Sequence, residues 1–295
     1  MLWVTAGTSA PVRLLNMQTG RASRTALRVA IRRAAHQAID RPRILEDPIA
    51  VRLIGPGYER DMERAMHFVA RDFRLYMSVR SRYAEDRLAQ QVAKGVGQYV
   101  ILGAGLDTFA YRNPFAALRV FEVDFPATQQ WKHELLSAAG IAIPENVTYI
   151  ALDLEHKSLA ESLLEAGLNA AEPAFFGWLG VVPYLTLEAF RSTIATIGLL
   201  PAGTAVSFDY AFPPETLSAK CRQVFDTLSK RVAAAGEPLQ LFFTPEDLEK
   251  ELQAAGFGRV EQFDTDRMNE TYFKDRADGL KLSPVRVGML ATAWV

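Results

Sequence analysis

The sequence has one cysteine, Cys221, among its 295 residues, and only four histidines. A single cysteine excludes an internal disulfide and a thiolate metal cluster, and it fits a reducing compartment, which predicts a cytoplasmic location. None of the histidines stands at a spacing typical of a metal site or a catalytic triad, so we expect no metal site. The chemistry of this chain has to be sought in its carboxylates, glycines and arginines.

The chain also lacks an excess of either charge and lacks long apolar runs. It has 33 basic and 34 acidic residues, for a formal net charge of −1, which gives no argument for binding nucleic acid or an anionic membrane. No apolar run approaches the roughly eighteen residues of a membrane span. The first eleven residues lack the basic segment and apolar core of a secretory signal. We therefore expect a globular protein that has neither nucleic acid nor a membrane as a partner.

A glycine turn after an apolar strand is the most informative feature. The β-forming run Val100–Leu102 stops at Gly103, and Gly105 follows. A second apolar run, Val120–Val123, ends in an acid, Asp124, about twenty residues later. This order predicts the nucleotide site of a doubly wound α/β fold, because glycines let the backbone approach a ligand and the acid accepts hydrogen bonds from a ribose diol.

Two residues after the glycines favour a methyl donor over a dinucleotide. The dinucleotide fingerprint has a third glycine or alanine where this chain has Thr108. The carboxylate of Asp107 would repel a diphosphate, which needs a bare helix N-terminus, but would tolerate the positive charge of S-adenosylmethionine. The sequence therefore predicts S-adenosylmethionine as the cofactor. An NAD-type oxidoreductase, or a nucleotide-binding module without turnover, remains the alternative.

Strands and helices alternate from residue 98 onward. We expect strands at 98–102, 119–123, 147–152, 174–181, 204–210, 258–264 and 284–294, with helices at 107–112, 127–139, 158–166, 186–199 and 245–255. Continuous apolar runs fit central parallel strands that are buried on both faces. The last segment follows another strand after only a loop, which favours antiparallel insertion. The pattern predicts an α/β fold with the seven-stranded, Rossmann-like sheet of class I methyltransferases.

Two regions lie outside this alternation. Helical patterns at 23–39, 47–54, 58–70 and 77–93 predict a helical N-terminal cap region over 1–97, packed on a core over 98–295. Residues 1–20 lack periodicity and are expected to form a loosely held arm. Residues 211–243 are predicted to be a lid inserted after the fifth strand, over the sheet edge where such folds bind ligands.

The first predicted helix has four arginines, Arg24, Arg28, Arg32 and Arg33. A solvated basic face is the simpler interpretation, and a lid that faces an anionic substrate is the alternative. Arg24, Arg28 and Arg112 are candidate partners for a carboxylate of the substrate. These arginines have no sequence pattern that decides between the two interpretations.

Other candidates lie at the ends of further strands. Asp153 follows the third strand, where its carboxylate is placed to accept a hydrogen bond from the adenine amine. The backbone amide of Leu154 is placed to donate to a ring nitrogen of the adenine. The alternative is that Asp153 caps the next helix. Glu122 shares a strand face with Asp124 by the period of two. Tyr184 follows the fourth strand near the expected methyl-transfer mouth and is a weak catalytic candidate. No residue is identified as a general base.

These motifs together resemble the leucine carboxyl methyltransferase-like family, in its bacterial S-adenosylmethionine-dependent branch. The pairing of Leu102-Gly-Ala-Gly-Leu-Asp-Thr108 with Glu122-Val-Asp-Phe-Pro126 is more specific than a generic glycine motif. The other matching stretches are Ser23-Arg-Thr-Ala26, Arg33-Ala-Ala-His36, Asp47-Pro48, Arg80-Ser-Arg-Tyr83, Tyr111-Arg112, Asp153-Leu154 and Gly180-Val-Val-Pro-Tyr-Leu185.

The resemblance implies specific roles in binding the donor. Arg80 would hold the donor's carboxylate, Gly103 and Gly105 its methionine part, Asp124 its ribose, and Asp153-Leu154 its adenine. Many members of the family have Glu-Gly where this chain has Leu179-Gly180, so one polar contact to the donor is missing or made by the backbone. This departure weakens the transfer of the eukaryotic substrate, a protein C-terminal leucine carboxylate, and the bacterial branch resembles small-molecule O-methyltransferases at least as well. We expect an O-methyltransferase for a carboxylate or hydroxyl of a small metabolite.

Overall fold

The computed structural model describes residues 23–67, 70–284 and 286–295, and within them the chain forms a seven-stranded sheet in the order β3-β2-β1-β4-β5-β7-β6. β7 is antiparallel to β5 and β6, and the other pairs are parallel. This confirms the predicted class of fold, including the antiparallel last strand. The strands are β1 Gln98–Leu102, β2 Arg119–Asp124, β3 Val147–Ala151, β4 Phe175–Trp178, β5 Ala205–Ala211, β6 Arg259–Phe263 and β7 Gly288–Trp294.

Helices cover both faces of the sheet, as its buried central strands require. They are α1 Arg24–Ile39, α2 Pro48–Ile54, α3 Glu59–Met66, α4 Arg71–Val92, α5 Pro126–Ala138, α6 Leu159–Glu165, α7 Leu187–Gly198, α8 Ala219–Ala233, α9 Pro245–Ala254 and α10 Thr265–Tyr272. Short polar residues begin several of them, since the side chains of Ser23, Asp47, Ser218 and Thr244 each accept a backbone N–H of the first turn.

The largest apolar cluster lies between the sheet and the helices after β3. Every residue of β1 and β4 is buried. Trp178 stacks on Phe190 with ring centroids 5.6 Å apart, and the Phe208 ring packs against Trp178 at 6.2 Å. The continuous apolar character of β4 in the sequence thus reflects burial on both faces of the sheet.

Four features of the structure differ from the sequence predictions. α4 begins at Arg71 and not at Met77, so Arg80 lies in the middle of the helix. The helix predicted at 107–112 is a three-residue 3-10 turn, Phe109–Tyr111. α10 has no counterpart among the predicted helices, because its residues are mostly polar and only the Asp264 cap marks its start. β4 and β7 are shorter than the predicted 174–181 and 284–294.

The helices before β1 pack together, and α4 among them contacts the sheet directly. α1 packs on α2, α3 and α4, and α4 packs on β4 and β5. Tyr83 of α4 stacks on Phe263 at 4.6 Å, and its hydroxyl is 2.7 Å from the hydroxyl of Thr292. The predicted arm at 1–20 lies outside the described residues. Among those described, no helix combines the length and apolar character needed to cross a bilayer.

Candidate active site

The glycine turn is fixed between β2 and the segment that follows β4. The backbone N–H groups of Gly103 and Ala104 both donate to the Val123 carbonyl, at 2.8 and 3.0 Å. Gly103 has φ +66°, and a Cβ on it would lie 2.3 Å from Val181 Cγ2. Only glycine fits here, because any side chain would need both an unfavourable φ and a displacement of Val181.

Asp124 lies at the end of β2, against this turn. Its Oδ2 accepts the Gly105 N–H at 2.5 Å, and its Oδ1 accepts the Phe125 N–H at 2.7 Å. Burial raises the pKa of Asp124 to about 6, although both amide hydrogen bonds oppose the shift. Each carboxylate oxygen keeps a free lone pair, so the group is held in place with acceptor capacity for a ligand.

Asp107 is engaged within the protein, which corrects its interpretation as a free negative charge facing the ligand. Its Oδ2 pairs with Arg33 Nη1 at 3.1 Å, and its Oδ1 accepts the Phe109 N–H at 2.7 Å. Burial opposes ionisation, but Arg33, with Lys132 and Arg112, holds the pKa of Asp107 below its usual value. Arg33 also donates to the Leu106 carbonyl at 2.5 Å. The pair fixes the shape of the turn.

Arg80 and Asp209 form a buried ion pair at the ends of β4 and β5. Arg80 Nη1 donates to Asp209 Oδ2 at 2.9 Å, while Asp209 Oδ1 accepts the Gly180 N–H at 2.5 Å. A Cβ on Gly180 would lie 2.7 Å from Arg80 Nη1, so glycine makes room for the guanidinium. Arg80 Nε is buried and has no hydrogen-bond partner. The guanidinium is thus held through one nitrogen and retains free donors.

Two of the other predicted candidates are used within the protein. Glu122 is fully buried and pairs with Lys132 Nζ at 2.6 Å, so it does not reach the pocket beside Asp124. Asp153 Oδ1 accepts the Glu155 N–H at 3.0 Å, and its Oδ2 is 2.8 Å from His156 Nδ1. The neighbouring Leu152 N–H donates to the Asp124 carbonyl, which brings the Asp153-Leu154 loop to the same edge of the sheet.

Tyr184 and Glu237 lie on the side of β4. Tyr184 ends a 3-10 turn, Val182–Tyr184, and burial raises its pKa to about 12, with Glu237 adding to the shift and Arg80 opposing it. Tyr184 is therefore a neutral hydroxyl at physiological pH. Glu237, in the loop after α8, accepts Ser23 Oγ at 2.8 Å through Oε1, whereas its Oε2 is buried without a partner.

Glu237 and Asp209 are the site residues that sequence reasoning missed. The negative charge of Glu237 acts on both Asp124 and Tyr184, so Glu237 lies near each of them. An acid inside the buried run Val206–Tyr210 was a usable signal for Asp209, because an acid in a buried strand requires a partner. Glu237 had no such signal, since the preceding glycine and the following proline indicate only a loop.

Comparison with known proteins identifies the family of this chain. The model of the family described as leucine carboxyl methyltransferase matches residues 26–198. YktD of Bacillus subtilis, assigned by name to the S-adenosyl-L-methionine-dependent methyltransferases, is 32% identical over 294 residues, which cover 90% of this chain and 95% of YktD. A Saccharopolyspora erythraea protein with the same assignment is 36% identical over 191 residues, 60% of this chain and 63% of that protein.

Solved structures show the same fold at lower identity. A Thermobifida fusca protein designated a methyltransferase aligns with a TM-score of 0.53 and 16% identity, over 93% of this chain and 95% of its own. A DUF574 family protein of Streptomyces avermitilis gives a TM-score of 0.52 and 15% identity, over 92% and 97%. The fold, the family model and the relatives agree, and the chain belongs to the leucine carboxyl methyltransferase family, a family of S-adenosylmethionine-dependent methyltransferases.

Proposed function

We propose that this enzyme transfers a methyl group from S-adenosylmethionine to an oxygen of a small metabolite, a carboxylate or a hydroxyl. The observation that carries the proposal is the arrangement of charge at the carboxyl ends of the central strands. Arg80 has free donors at the end of β4, Asp124 has free acceptor positions at the end of β2, and Glu237, whose charge acts on Asp124 and on Tyr184, has one unpartnered oxygen.

These residues fit the methyl donor. Arg80 would hold its carboxylate, because a guanidinium with free donors suits a carboxylate. Asp124 would accept the ribose hydroxyls, and the backbone of Gly103-Ala-Gly105 would approach the methionine part. Asp153-Leu154 is assigned to the adenine because of its place beside β2. When bound, the donor supplies an electrophilic methyl group on a sulfonium.

The protein's own contribution is positioning and one proton acceptor. Displacement at a methyl group is accelerated chiefly by holding the nucleophile close and in line in a dry pocket. A carboxylate acceptor needs no base, whereas a hydroxyl gains from one. Glu237 Oε2 is the group that would take this proton, since it is buried without a partner. Tyr184 is neutral and would orient the acceptor through its hydroxyl.

The surrounding regions complete the proposal. We assign residues 1–97 as a cap and 211–243 as a lid on a methyltransferase core, 98–295. The Ser23–Glu237 hydrogen bond joins the start of α1 to this lid, so both regions contribute to the acceptor pocket. The single cysteine supports a cytoplasmic location.

Binding and product analysis together test the proposed function. Calorimetry should show that the wild-type protein binds S-adenosylmethionine and S-adenosylhomocysteine, and that it does not bind NADH. Incubation of the protein with S-adenosylmethionine and a metabolite mixture should release S-adenosylhomocysteine and yield methyl esters or methyl ethers. Alkaline hydrolysis distinguishes them, because it cleaves the esters and leaves the ethers intact. Absence of donor binding, or products methylated on nitrogen or carbon, would overturn the proposal.

Donor binding should weaken in mild acid because of Asp124. Its raised pKa, about 6, means that the free protein takes up a proton there as the pH falls, whereas the ribose contacts need the carboxylate. At pH 5 only about a tenth of such a group is ionised, so we expect ~tenfold weaker binding than at pH 7. Titration calorimetry between pH 5 and pH 7 measures this change in donor affinity. Asp124→Asn should bind weakly with little pH dependence, and a flat wild-type profile would contradict the assignment.

A further inference from the structure

One face of α1 runs along α4 away from the proposed methyl-transfer site. Thr25, Arg28 and Arg32 share this face by their spacing of three and four residues. The Arg32 guanidinium lies over the Phe73 ring of α4, 5.0 Å from its centroid. At the other end, Thr25 lies close to Tyr184, which in turn lies near Arg80 of α4. The two helices therefore line a seam that leads from Tyr184 to Arg32.

The arginines of this seam have donors without acceptors. Arg28 Nη1 and Arg32 Nε are buried and have no hydrogen-bond partner, and Arg32 Nη1 donates to the backbone carbonyl of Arg28 at 2.9 Å. Within the described ranges, the ion pairs of α1 are made by Arg33 and His36 and by neither of these two arginines. Buried donors of this kind normally have a partner, so these two imply an acceptor that the described chain does not supply.

A third cation comes from the lid. Burial, the largest cause, lowers the pKa of Arg32 to about 10, and the positive charges of Arg231 of α8 and of Arg28 add to the shift, so Arg231 lies near Arg32. Arg231 itself is exposed. Three guanidinium groups repel one another unless an anion joins them. The three residues come from two separate parts of the chain, the cap and the lid, both proposed above to contribute to the acceptor pocket.

We propose that Arg28, Arg32 and Arg231 form a binding subsite for an anionic group of the methyl acceptor, a carboxylate or a phosphate, distinct from the oxygen that receives the methyl group. Arg28 lies one turn and Arg32 two turns from Thr25, which is roughly 5 and 10 Å along the helix. The acceptor would thus have its nucleophilic oxygen near Tyr184 and its anionic group at the outer end of the seam. The claim that the anion is part of the methyl acceptor rests on the proposed function. The existence of the anion site is independent of that function.

The subsite is testable with simple anions, because it requires no knowledge of the acceptor. Inorganic phosphate and succinate would be titrated by calorimetry into the full-length protein, first alone and then with saturating S-adenosylhomocysteine, with neutral succinamide as the uncharged analogue. We expect saturable binding of at least one anion and none of succinamide. The better of the two anions identifies the class of group, phosphate or carboxylate.

Variants connect this binding to the three arginines. Arg32→Gln and Arg231→Gln should each weaken it about tenfold to hundredfold, the usual effect of removing one charge-assisted hydrogen bond. Lys220→Gln is the matched control, because Lys220 is a cation on α8, the helix of Arg231, lies about three turns from Arg231 and is exposed. It should bind the anion as the wild type does. If Arg32→Gln fails to fold, the exposed position of Arg231 still allows the measurement.

Three outcomes would overturn the subsite. The first is no saturable binding of either anion, and the second is equal binding by the wild type and the two arginine variants. The third is a loss of S-adenosylhomocysteine affinity in Arg28→Gln or Arg32→Gln, which would assign the cluster to the donor. Failure of the proposed function would be visible separately, as missing donor binding or as methylation on nitrogen or carbon, with the anion titration unaffected.

Discussion

Replacing Asp124 with alanine is expected to weaken binding of S-adenosylmethionine about a hundredfold or more. The carboxylate is held by the Gly105 and Phe125 amides, with lone pairs left for two ribose hydroxyls. A hydrogen bond to a charged group contributes roughly 1.5–3 kcal/mol, and each 1.4 kcal/mol is about a factor of ten in affinity. The substitution also frees the Gly105 amide, which adds disorder to the turn.

Two further variants separate binding from folding. Asp124→Asn keeps one acceptor oxygen and should fall between alanine and the wild type. Asp264→Ala is the matched control, because Asp264 also follows a strand, β6, and accepts a backbone amide, that of Arg267, at 2.9 Å. β6 lies at the far edge of the sheet from β2 and β3. Calorimetry should show near wild-type affinity for Asp264→Ala, and an equally small loss for Asp124→Ala would remove Asp124 from the donor site.

The sheet can be predicted from the sequence because its signals are local. A parallel strand buried on both faces is a continuous apolar run, so the predicted bounds of β1, 98–102, match the observed ones. The glycine turn and Asp124 also lie within about twenty residues of each other, and glycine is required at the two positions of the turn with φ +66° and φ +48°. Local patterns of residues therefore suffice to predict the class of fold and the candidate donor site.

What cannot be predicted depends on partners distant in the sequence. Asp107, judged from its neighbours alone, is a charge available to the ligand, but Arg33, 74 positions away, neutralises it. Arg80 and Asp209 are 129 positions apart. Local patterns contain no information about which charges meet, because the pairing is set by how α1 and α4 pack on the sheet. The same reason hides Glu237, whose role depends on the path of the lid.

The arginines of α1 show this limit most clearly. The sequence leaves one basic face with two interpretations, a solvated surface or a lid over an anion. In the structure, the side chains of these arginines have different environments. Arg33 donates to the glycine turn, and Arg24 is exposed to solvent. Arg28 and Arg32 lie in the seam with α4. Successive residues of a helix point about 100° apart, so one charged stretch serves several environments.

Replacing Arg80 with alanine is expected to lower the free energy of unfolding by about 3–5 kcal/mol, because it leaves the Asp209 carboxylate buried without its cation. The ion pair is almost completely buried, with side-chain exposures of 8% and 10%, so solvent screening reduces this loss little. Donor binding should fall about a hundredfold or more in the same variant, since the contact to the donor's carboxylate is lost with it. Urea denaturation and calorimetry measure the two effects separately.

The double variant Arg80→Ala/Asp209→Ala distinguishes the two roles of Arg80. Removing both charges eliminates the unpaired carboxylate, so part of the stability should return relative to Arg80→Ala, whereas donor affinity should stay low. Gly180 loses a hydrogen bond in this variant, so the recovery is expected to be incomplete. Recovery of donor affinity along with stability would mean that Arg80 only supports the fold. Low affinity in a stable double variant would instead place the guanidinium on the donor's carboxylate, because a destabilised fold could not then account for the weaker binding.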